Sequence, residues 1–77
     1  MIPLTFAIKN EPYKIVKING RDESRRHLNN LGFVEDGIIE IVSEMAGNFI
    51  ISIKDSRIAL SNEMAARIVV DNINITY

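Results

Sequence analysis

The sequence predicts a mainly β fold: a small, partly open antiparallel barrel of about five short strands, with one helix after the first strand and a helical turn before the last. Three observations carry this. β-Branched and aromatic residues recur in short runs that alternate with polar ones, the period of a strand with one buried face. The connections between the central runs are too short to cross back over a sheet, so neighbouring strands pair antiparallel. Only one stretch, Asp22 to Gly37, carries the marks of a full helix with both of its ends.

The chain opens with Met1 to Ile8, where Thr5 is placed to cap one short turn before Lys9-Asn10-Glu11-Pro12 reverses direction. Leu4, Phe6 and Ile8 are expected to plug one end of the barrel. Tyr13 to Asn19 reads as the first strand. Ile15 and Val16 are adjacent, so the alternation changes phase there, as it does at a bulge or in a strand buried on both faces. Asn19-Gly20 ends this strand. Asp22 then serves as N-cap, with Glu23 adding negative charge at the positive end of the helix dipole. Gly32 at C′ places Leu28 at C3 and Phe33 at C″, the two positions that touch in a Schellman motif. Leu28 and Leu31 form the buried stripe, and Arg25, Arg26, Asn29 and Asn30 face water.

The turn Glu35-Asp36-Gly37 leads into Ile38 to Glu44, with Ile39 and Ile41 on one face and Glu40 and Val42 on the other. Met45-Ala46-Gly47-Asn48 connects to Phe49 to Lys54, where Phe49, Ile51 and Ile53 share a face. Asp55-Ser56 turns into the strand Arg57 to Leu60, which completes a meander. Ser61 caps a helical turn over Asn62 to Ala66, with Glu63 in its first turn, before the last strand, Arg67 to Val70. Asp71 to Tyr77 extends that strand or frays.

Composition sets the limits on function. Seventy-seven residues make one domain, of a size that buries about 60% of its unfolded surface or a little more. Ten acidic and nine basic residues give a net charge of -1, which removes a general attraction to nucleic acid or anionic lipid. With no cysteine there is neither a disulfide framework nor a thiolate metal site. Apolar residues never run beyond three in succession, so no membrane span is expected and the protein is expected in the cytoplasm.

Chemistry-bearing residues are few. His27 is the single imidazole, and Glu23 stands four residues earlier on the same helical side, which leaves open a two-ligand contact with a transition-metal ion such as Fe(II). One histidine without cysteine falls short of a closed site, and a solvent-facing histidine is the plainer reading. Glu35 and Asp36 are explained by turn formation rather than acid–base catalysis. Ser24 and His27 lack the oxyanion donors and orienting acid of a nucleophilic site. No catalytic residue, required cofactor or cofactor-binding site is expected, and the glycines lie in separate connections rather than in one phosphate-cradling loop. Arg25 and Arg26, with Arg21, form the one basic cluster, and Met45-Ala46-Gly47-Asn48-Phe49 is a loop rich in apolar residues. Arg25, Arg26, Met45 and Phe49 are therefore the candidate partner contacts.

The order of these pieces resembles the FeoA family. The resemblance rests on Pro3-Leu4-Thr5, Leu28 to Val34, Gly37, Gly47-Asn48, Lys54 to Leu60 and Ala65 to Ile68. It implies an SH3-like barrel and a stand-alone cytosolic accessory of bacterial ferrous-iron uptake. Such a protein acts by contact with FeoB, the membrane transporter with a cytoplasmic GTPase domain, and has no catalytic residues. Two positions depart from the family pattern: Asp36 stands where glycine is usual in the turn, and Ser24 where the helix more often carries an apolar residue. A nucleic-acid-binding small barrel and a metal-sensing regulatory domain like those fused to metal-dependent repressors are the alternative readings. Exposed edge strands leave pairing between copies open.

Overall fold

A computed structural model describes residues 1–73. Six strands among them form one antiparallel sheet: β1 (Ile2–Pro3), β2 (Tyr13–Ile18), β3 (Ile38–Met45), β4 (Asn48–Ile53), β5 (Ser56–Ser61) and β6 (Ile68–Asn72), in the order β1-β6-β2-β3-β4-β5. Helix α1 spans Asp22–Asn30 between β2 and β3, and α2 spans Asn62–Ala65 before β6.

The one strand beyond expectation is β1. Its two residues pair Ile2 with Val70 and Pro3 with Val69, a contact that only the last strand can supply. A 3₁₀ turn, Leu4–Phe6, follows β1, with Pro3 rather than Thr5 at its N-cap. This turn overturns the expected three-residue plug. Its three-residue period sends Leu4 fully into the core and leaves Ala7 against it, while Phe6 is 75% and Ile8 59% exposed.

β2 carries the bulge that Ile15-Val16 announces: Ile15 pairs with Val70 and Lys17 with Val69, so Val16 is the extra residue. A second irregularity, between Ile41 and Ser43, breaks the β3–β4 register. The alternating faces of β3 and β4 meet in the core, where Ile39, Ile41, Phe49, Ile51 and Ile53 are buried. Ala46 (φ +49°) and Gly47 (φ +81°) have the two positive φ angles of a type I′ hairpin.

Helix α1 stops as its sequence directs. Gly32 sits at φ +109°, the Phe33 amide donates to the Leu28 carbonyl at 3.0 Å, and the Gly32 amide donates to the Asn29 carbonyl at 3.0 Å. These are the two bonds of a Schellman motif, and they fold Phe33 back under the helix, where Phe33 and Leu28 are both fully buried. The start differs from expectation. Arg21 is the N-cap, and Asp22 is the first helical residue, with its carboxylate turned to the Arg25 guanidinium rather than to a backbone amide. Ser61 does cap α2, accepting from the Met64 amide at 3.3 Å. β6 continues through Asn72 and not to Ile73, and the rest of the expected extension, 74–77, lies outside the described residues.

Candidate functional site

Asp22, Arg25, Arg26 and Asn29 follow one another at the i, i+3, i+4, i+7 spacing that makes a single stripe on a helix. That stripe is one wall of an open groove of about 510 Å³. Ile18, at the end of β2, and Val34 and Glu35, beyond the Schellman turn, complete it. The turn that follows holds them in place. The Gly37 amide donates to the Val34 carbonyl at 3.0 Å, the Asp36 amide to the Ile15 carbonyl at 2.8 Å, and the Ile15 amide to the Gly37 carbonyl at 2.9 Å. Asp36 stands at φ +70°, a left-handed conformation that Asp tolerates better than most residues. Asp36 therefore takes up the left-handed backbone of this turn without a glycine.

Two arginines and two carboxylates line the groove, so their charges sum to zero. The distribution is uneven. Arg25 is paired with Asp22, three residues earlier, in a contact open to solvent and worth little to stability. Arg26 has no ion pair among the described residues, and Val34, which also lines the groove, leaves 43% of its surface exposed. The groove therefore holds, among mostly polar lining residues, one arginine without an ion pair among the described residues and one exposed apolar side chain.

The other expected contacts lie elsewhere. Met45 is 66% exposed at the end of β3 and does not line the groove. Phe49 is a correction: it is 4% exposed, because it shares the inward face of β4 with Ile51 and Ile53, and it is no docking residue. Glu23 and His27 are exposed on α1, and neither lines the groove. Among the described residues no group of three or more His, Cys, Asp or Glu comes together, so nothing there adds a third ligand to that pair. The sequence reading missed Ile18, Val34 and Glu35 as groove residues. The helical half was signalled by the polar stripe, the other half only by the reversal at Gly32.

The FeoA domain model matches residues 2–72. The chain belongs to the FeoA family. Its SH3-like fold is shared with a crystal structure of an iron uptake regulatory protein (FeoA), 26% identical with a TM-score of 0.84, the match covering 94% of this chain and 96% of that one. An FeoA-like protein from Clostridium acetobutylicum is 18% identical with a TM-score of 0.86, over 99% and 91% of the two chains. A manganese-dependent transcriptional repressor has the same fold over 92% of this FeoA-family chain and 41% of its own, at 18% identity and a TM-score of 0.83. No curated protein matches the sequence. Among the described residues no helix is long and apolar enough to cross a membrane.

Proposed function

We propose that this FeoA-family protein is a small cytoplasmic accessory of ferrous iron uptake. It acts by contact with the cytoplasmic part of a FeoB-like transporter, regulating or assembling it, rather than by catalysis. Family membership across residues 2–72 carries the reading, since it implies a role in ferrous iron transport. The groove at α1 supports the mode of action: of its lining residues, Arg26 has no ion pair among the described residues, and Val34 is exposed. On this reading the whole of 1–77 is one domain, recruited to the inner face of the membrane only through its partner.

Immobilised protein should capture the transporter from detergent-solubilised membranes, and Arg25→Glu with Arg26→Glu should abolish capture while leaving the thermal midpoint in place. Undiminished capture by the doubly reversed protein removes the groove from the reading. The fold shared with a manganese-dependent repressor supports a second reading, direct metal sensing at Glu23 and His27. Anaerobic calorimetry with Fe(II) and Mn(II) separates the two: binding heat that His27→Ala removes favours sensing.

A further inference from the structure

The two ends of the sheet are finished differently. β1 is two residues long and contains Pro3, which has no amide hydrogen to offer a neighbour. β5 is six residues long, has neither proline nor lysine, and is the opposite end of the sheet. The β2–β6 and β3–β4 ladders are each broken by a bulge, whereas β4–β5 runs from Asn48↔Ser61 to Ile53↔Ser56 without a shift. Of the usual guards of an edge, β5 has neither a bulge nor a proline, and its one charge is Arg57.

The direction of its free groups follows from the register. The Asn62 amide donates to the Gly47 carbonyl at 3.0 Å, so the even-numbered residues at this end of the hairpin turn their backbone groups toward β4. By the alternation of an antiparallel ladder, Ser56, Ile58 and Leu60 do the same, and Arg57, Ala59 and Ser61 point their amides and carbonyls away from the sheet. Arg57, Ala59 and Ser61 are exposed, and no strand of the described residues lies on that side.

We propose that β5 joins two copies of this chain by antiparallel strand addition about a two-fold axis at Ala59. The strand is complementary to itself in this register. Arg57, its one charged residue, falls opposite the partner's Ser61, so within the strand no like charges meet. Ala59 lies opposite the partner's Ala59, where small side chains leave the backbones free to approach. On the inner face the half-buried Ile58 falls beside the partner's Leu60, which extends the apolar layer across the join. A register centred on Arg57 would set two guanidinium groups against each other.

Sedimentation equilibrium on the full chain tests this. The wild-type mass should rise with concentration from one chain toward two. Ala59→Pro removes an amide that only the second copy uses, and Ala59→Lys sets two ammonium groups across the axis. Both should stay monomeric over the same range, and an equimolar mixture of Ala59→Lys with Ala59→Glu should dimerise again. If proline lowers the melting temperature, the lysine variant, at a site already exposed, decides alone. A wild-type protein that remains monomeric overturns the proposal, even if its edge captures a foreign extended peptide, and so does an Ala59→Lys protein that dimerises as the wild type does.

Discussion

Gly32 is the residue on which the geometry of the groove turns. A side chain there meets only the Ile53 Cδ1 atom at 3.5 Å, an ordinary contact, so the objection to substitution lies in the backbone at φ +109° and not in space. Gly32→Ala should therefore lose about 1–2 kcal/mol, which thermal unfolding would record as a fall of about 4–8 °C for each kcal/mol in a chain of this size. An unchanged midpoint would mean that the reversal can be made without a positive φ. Phe6 makes the opposite case. At 75% exposed it supports nothing in the core, and Phe6→Ser should change stability by no more than about 0.5 kcal/mol. Were it the plug its composition suggests, the loss would be several times larger. The error is physical: alternation places Leu4, Phe6 and Ile8 together, but a 3₁₀ turn repeats every three residues and pairs Leu4 with Ala7 instead.

The elements that were readable in the sequence are those specified within a few residues. The Schellman stop at Leu28-Gly32-Phe33, the Ser61 cap of α2 and the bulge at Val16 all use local chemistry, and the structure contains each of them. Strand β1 was not readable, because two residues carry no period and their partner, β6, lies at the other end of the chain. The N-cap of α1 failed for a different reason. Asp22 is a good cap by residue type, but Arg25 one turn later competes for its carboxylate. Phe49 exposes a conflict between two readings of one residue: strand alternation turns it inward with Ile51, loop composition turns it outward, and the alternation prevails. Helix α1 attaches to the barrel chiefly through Leu28 and Phe33, with Leu31 packed against the same core. Leu28→Ala should cost about 2–5 kcal/mol, enough to leave a domain of this size largely unfolded in circular dichroism at ambient temperature. A cooperative, nearly unshifted transition in that variant would mean that the helix is an ornament on the sheet.

The barrel and the groove differ in how far apart along the chain their determinants lie. The barrel follows from short β-branched runs with short connections, and the family match over residues 2–72 agrees with it. The groove could not be read the same way, because Ile18, Val34 and the α1 stripe are brought together only by the reversal at Gly32 and the turn at Asp36. The finished surface carries, in one groove, an arginine without an ion pair among the described residues and an exposed valine, and the balance of charge gives no general pull on nucleic acid. Removing that charge should leave the fold alone, since surface substitutions away from caps and cores shift stability by about 0.5 kcal/mol or less. Contact through the groove is tested by titrating the purified cytoplasmic part of the FeoB-like transporter with wild-type protein and with Arg26→Glu, at low and at physiological salt. Saturable binding that weakens with salt, and that the charge reversal weakens by about tenfold or about 1.4 kcal/mol, is the predicted result; no binding, or equal affinity for the two proteins, would contradict it.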